Sequence, residues 1–96
     1  MSSERERIAG LRIQRMTERL ASLSPQLLEI EDDGHRHVGH AGAADGHGHF
    51  KLRMVSEAFR GKLLLARHRA IYAALGDMMQ TDIHALSIEA KAPGEA

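Results

Sequence analysis

The chain has 96 residues, thirteen of them basic and thirteen acidic, so its formal net charge is +0 with histidine neutral. That length admits one small domain with one core, and the charge balance argues against a nucleic-acid coat, whose non-specific affinity comes from excess positive charge. With no Cys, the chain has no disulfide, no thiolate nucleophile and no Cys ligand for zinc or for an iron–sulfur cluster of its own.

The polar start, Met1 to Arg7, lacks the apolar run of about 7–15 residues that a signal peptide needs. No run approaches the roughly 18 apolar residues of a membrane span. A cytoplasmic protein with no membrane contact is expected. The first element reads as a helix from about Ser3 to Leu23. Ile8, Ala9, Ile13, Met16, Leu20 and Leu23 share one side of a 3.6-residue wheel, and Leu11 lies off that stripe. Glu4 and Glu6 suit the positive end of the helix dipole. Ser24-Pro25 ends it, because a residue before proline avoids the helical region.

Leu27 to Asp32 alternates, with Leu28 and Ile30 against Glu29 and Glu31, as in a half-buried strand. From Asp33 to Gly48 there is no period. Five glycines and four histidines fall here, which predicts a loop, centred on about 34–48, that is functional or disordered. His49 to Val55 alternates again. Ser56 is placed to cap a short turn at Glu57-Ala58-Phe59, and Gly61 breaks it. A longer helix is predicted from about Lys62 to Met79, with Leu64, His68, Ile71, Leu75 and Met78 as its apolar face. Ile83 to Ala90 reads as the last strand, and Lys91 to Ala96 as a frayed tail.

The order is α-β-β-(short α)-α-β, an α+β domain covering 1–96 with its core at about 8–92 and frayed termini. The two strands joined by the loop should pair antiparallel, and the strand–helix–strand crossover should make the last strand parallel. A three-stranded mixed sheet results, with helices on one face. The polar alternates Glu29, Glu31, Lys51 and Arg53 leave the other face in water.

Enzyme chemistry finds no support. There is no G-x-x-x-x-G-K-[ST] phosphate loop and no G-x-S-x-G nucleophile elbow, and Asp32 and Asp33 read as solvated acids at a strand end. The histidines are more suggestive. His35, His37 and His40 offer three imidazoles on a flexible backbone, and imidazole suits Zn, Cu, Fe and Ni; a solvated His-rich loop is the plain alternative. His49, beside Phe50, reads as a packing or strand-end residue, and His68 as a satisfied residue on an apolar face. His84 shares strand parity with Leu86 and Ile88, which favours burial, while its place at the strand end keeps a ligand role open. Arg60, Lys62, Arg67 and Arg69 cluster around a turn and the following helix. A helix–turn–helix presents such a patch to DNA; a solvated charged face is the alternative.

Taken together, several segments resemble the BolA family: Leu28-Glu29-Ile30-Glu31-Asp32-Asp33, Gly39-His40-Ala41, His49-Phe50-Lys51-Leu52, Val55-Ser56, Phe59-Arg60-Gly61, Arg67-His68-Arg69 with Ile71-Tyr72 and Leu75, and Ile83-His84-Ala85-Leu86-Ser87-Ile88. The match runs in order over about Ile8 to Pro93. The resemblance implies the family's α-β-β-α-β fold, related to the type II KH domain. The chain departs from RNA-binding KH domains in lacking a G-x-x-G loop. It also implies pairing with a monothiol glutaredoxin and a shared [2Fe–2S] cluster, used in iron–sulfur maturation, cluster transfer or iron regulation. On that reading the glutaredoxin and its glutathione bring the thiolates. The ligands from this chain are His84 and His40, with His35 and His37 as loop alternatives. The isolated chain, a monomer or weak homodimer, holds no stable cluster. Some bacterial members of the family are DNA-binding transcriptional regulators. For this chain that alternative rests on Lys62, Arg67 and Arg69 and implies weak, electrostatic DNA binding.

Overall fold

The computed structural model describes residues 4–33 and 48–96. Helix α1, Glu4–Leu20, runs on into a 3-10 turn at Ala21–Leu23. It buries Ala9, Met16 and Leu20, half-buries Ile8, Ile13 and Leu23, and leaves Leu11 exposed, as its periodicity requires. Ser24 closes it in the left-handed region at φ 50. Strand β1, Leu27–Asp32, pairs antiparallel with β2, Gly48–Val55, and β2 pairs parallel with β3, Ile83–Lys91. The sheet order is β1-β2-β3, so β2 is central.

The core lies between one face of this sheet and the helices. Phe50, Leu52 and Met54 of β2 meet Met16 and Leu20 of α1, Phe59, Ile71 and Leu75. Leu28 and Ile30 of β1 and Leu86 and Ile88 of β3 pack at its margins. The other face is polar: Arg53 pairs with Glu29 at 3.2 Å and with Glu89 at 2.8 Å across all three strands. The expected mixed sheet with one wet face is thus present.

Ser56 caps the 3-10 turn Glu57–Phe59. Its buried hydroxyl accepts from Ala58 N at 3.1 Å and donates to the Leu23 carbonyl at 2.5 Å, which ties the end of the first helical segment to the sheet.

The region after Gly61 differs from the sequence expectation. The predicted helix from Lys62 to Met79 is two pieces, α2 at Leu64–Leu75 and α3 at Met78–Thr81. Gly76, at φ 57, adopts a backbone that a side chain would strain, and it ends α2. Arg19 reaches across to that end and donates to the Leu75 carbonyl at 2.6 Å and to Asp77 at 2.7 Å. The buried face of α2 is Arg67, Ile71 and Leu75, not one that begins at Leu64, which is 64% exposed.

The tail is also held rather than frayed. Ala92 is buried, and its N–H donates to Glu95 at 2.9 Å.

Candidate functional site

Strict alternation along β3 places His84 on the same face as Leu86 and Ile88. The structure places it on the other. Gly48 pairs with Ile83, but His49 pairs with Ala85, so His84 is an extra residue in a β-bulge. A bulge sends two successive side chains to one side of a sheet. Accordingly Ile83 is buried, His84 and Ala85 are both exposed, and Leu86 returns toward the core. The reading of His84 as a buried core residue is corrected by this one irregularity.

His84 does not stand alone on its face. Its ring centroid lies 4.9 Å from that of His49, with the two rings tilted by 42°. His49 belongs to the outward row of β2 with Lys51 and Arg53, yet only 8% of it is exposed. Its assignment as a packing residue agrees with that burial. Asp33, His49, His84 and Ser87 line a shallow groove of about 410 Å³.

The backbone at this end is tied on both sides. Asp33 N donates to the His49 carbonyl at 2.7 Å, and Gly48 N to the Asp82 carbonyl at 2.9 Å. Glycine at 48 leaves room for the buried Phe50 ring: a Cβ there would sit 2.3 Å from it and force the ring to move. Asp82, immediately before β3, is buried and receives Arg15 at 3.1 Å, Arg12 at 3.6 Å and the Thr81 hydroxyl at 2.6 Å. These bonds anchor the start of β3 to α1. Asp82 carried no signal in the sequence beyond its place before a strand.

The candidate loop ligands His35, His37 and His40, together with His47, lie outside the described residues. Positions 33 and 48, which bound that segment, are both at the His84 end of the sheet. Among the described residues, no three His, Asp or Glu side chains come together to hold a metal ion.

The basic patch does not survive as read. Arg67 is buried at 7% exposure. Its guanidinium forks onto Glu95 at 2.5 and 2.8 Å, and also donates to the carbonyls of Lys62 at 2.8 Å and Ala90 at 3.1 Å. This pairing, with the Ala92 N–H, holds the Glu95 carboxyl down at about 2, well below its ordinary 4.5. Arg67 is therefore an internal tie between α2, β3 and the tail, and it is removed from the DNA-facing set. Arg60 is exposed but bonds to Glu57, which lowers the Glu57 pKa, and to the Pro93 carbonyl. Lys62 and Arg69 are exposed. His68 is half-buried. The segment Leu63-Leu64-Leu65 is exposed as well, at 83%, 64% and 62%. Among the described residues, no helix is long and apolar enough to cross a membrane.

The family model described as "BolA-like protein" matches residues 20–95. The chain is 50% identical over 91 residues to SufE-like protein 1, chloroplastic/mitochondrial, of Arabidopsis thaliana. That match covers 90% of this chain but only 24% of the relative's length. It is 40% identical over 76 residues to the DNA-binding transcriptional regulator BolA of Escherichia coli, covering 78% of this chain and 70% of that protein. The solved structure of BolA1 from Arabidopsis thaliana superimposes with a TM-score of 0.75 at 40% identity, over 88% of this chain and 95% of the other.

Proposed function

This chain belongs to the BolA-like family, and on that premise we propose that it is the partner of a monothiol glutaredoxin, with which it shares a [2Fe–2S] cluster. The role is maturation or transfer of iron–sulfur clusters, or iron regulation, with the cytoplasm as the expected setting. The observation that carries the reading is the exposure of His84 on a bulge, at the sheet end where the His-rich segment leaves and returns.

An imidazole that is to meet iron held by another protein has to reach solvent from a rigid mount. His84 does both, on a strand whose start is fixed through Asp82. Neutral imidazole is a suitable iron donor, and a chain without Cys has no thiolate to offer. His84 is the strand ligand, and His40 is the second, with His35 and His37 as substitutes. The remaining ligands come from the glutaredoxin and glutathione. A cluster bound through imidazole in place of thiolate has a raised potential and a binding that responds to protonation. The chain alone, a monomer or weak dimer, retains no stable cluster.

The test is anaerobic reconstitution of the chain with a monothiol glutaredoxin, glutathione, iron and sulfide. A co-eluting complex with a visible spectrum distinct from that of glutaredoxin alone is expected. Failure of the two proteins to associate, or a spectrum unchanged by this chain, counts against the proposal.

A second reading, DNA binding, is favoured by the similarity to the DNA-binding transcriptional regulator BolA of Escherichia coli and by the exposed Lys62 and Arg69. With Arg67 buried, the cationic surface is smaller than the sequence suggests, and such binding would be weak and strongly salt-dependent.

A further inference from the structure

We infer that His49 is a positioning residue for His84: its buried ring is the platform on which the exposed imidazole rests. The inference concerns the geometry of the chain itself, and its functional consequence rests on the glutaredoxin reading above.

Three observations converge on this. His84 is the bulged residue, at the point where the register of β3 against β2 shifts. Its ring centroid lies 4.9 Å from that of His49 with the rings tilted by 42°, a separation at which two rings are in packing contact. His49 is itself fixed, because it is 8% exposed and sits between two backbone ties, Asp33 N to its own carbonyl and Gly48 N to the Asp82 carbonyl. Lys51 and Arg53, its successors on the same face, are exposed. An exposed side chain on an irregular strand turn ordinarily samples several rotamers. Resting on a buried ring removes that freedom before any partner arrives, and a pre-set donor binds with a smaller ordering cost.

A platform role calls for a flat ring at 49 and not for a ligating nitrogen there. His49→Phe keeps the platform. His49→Leu keeps volume without a flat face, and His49→Ala removes both. In the isolated chain, NMR couplings at His84 should report one dominant χ1 rotamer in the parent and in His49→Phe, and rotamer averaging in His49→Leu and His49→Ala. This readout needs no cluster. Averaging already present in the parent, or a single rotamer in all folded variants, overturns the inference whatever the glutaredoxin result. If His49→Ala does not fold, His49→Leu decides.

In the reconstituted complex, His49→Leu should lose its cluster to a chelator about tenfold faster than the parent, the low end of effects for residues that orient a metal ligand. His49→Phe should keep the parent rate and spectrum. Loss of the cluster spectrum in His49→Phe, equal to that in His84→Ala, would make His49 a ligand and overturn the positioning role. If His84→Ala leaves the cluster unchanged while the rotamer pattern holds, the assignment of His84 as a cluster ligand fails and the inference about His49 and His84 stands; failure of the chain and glutaredoxin to associate at all is the separate outcome that overturns the glutaredoxin reading.

Discussion

The two ends of the central strand pair are built on opposite plans. At the end reached by Val55 and Lys91, polar groups are turned inward and tied. Ser56 bridges the Leu23 carbonyl and the Ala58 N–H, and Arg67 binds Glu95 and two carbonyls. At the end of Gly48 and Ile83 the backbone is tied just as firmly, but an imidazole is turned outward. The first end spends its hydrogen-bonding groups on the fold; the second fixes its backbone so that a side chain can stay available. If the proposed function is right, substitutions of the outward imidazole and of the inward ties should separate cluster sharing from stability.

The largest expected effect is at His84. His84→Ala should abolish or reshape the spectrum of the complex with a monothiol glutaredoxin while changing stability by no more than about 0.5 kcal/mol, the usual range for a surface position. A variant that melts far below the parent yet forms the same complex spectrum would reverse the assignment of the two ends. Ser56→Ala should do the opposite. It leaves a part-buried carbonyl without its donor and a 3-10 turn without its cap, which costs about 1–2 kcal/mol in urea unfolding with cluster sharing retained.

The tied end should also show in the acid response. Glu95 ionises at about 2 in the folded chain, against an ordinary 4.5. A carboxyl with a lowered folded pKa contributes stability that is complete above its unfolded value and is lost as pH falls through the folded one. The difference in urea midpoint between the parent and Glu95→Gln should therefore be constant above pH 4.5, shrink as the pH falls below it, and close near pH 2. A difference independent of pH across that window would mean that Glu95 holds Arg67 by something other than its charge. The smallest effect concerns DNA. With Lys62 and Arg69 as the exposed contacts, log K against log salt should have a slope near −2, measured by titration of duplex DNA at several salt concentrations. A slope near −4 would point to cations beyond these two.

Much of the architecture was legible in the residues. The alternation of Leu28 and Ile30, and of Phe50, Leu52 and Met54, marks strands with one buried face, because side-chain direction in a strand follows from local geometry alone. Ser56 before Glu57-Ala58-Phe59 announces a cap for the same local reason. The order of elements then restricts the sheet to a mixed one. The Cys-free composition shows that any iron–sulfur role needs thiolates from elsewhere.

The direction of His84 was not legible. Parity along β3 points it inward, and only the register of β3 against Gly48 and His49 inserts the bulge that turns it out. Arg67 stands in a run of basic residues, and only the return of the tail puts the Glu95 carboxylate within reach and draws it inside. The split of the last helical stretch at Gly76 is different: a glycine is a local stop signal, which the apolar periodicity running on to Met78 masked, and Arg19 from α1 adds a bond to the Leu75 carbonyl at the end so formed. Periodicity and capping are interactions between near neighbours in the chain, so sequence alone determines them. Register shifts and ion pairs between residues 28 or 56 positions apart depend on where distant segments are brought together, and only the tertiary structure decides that.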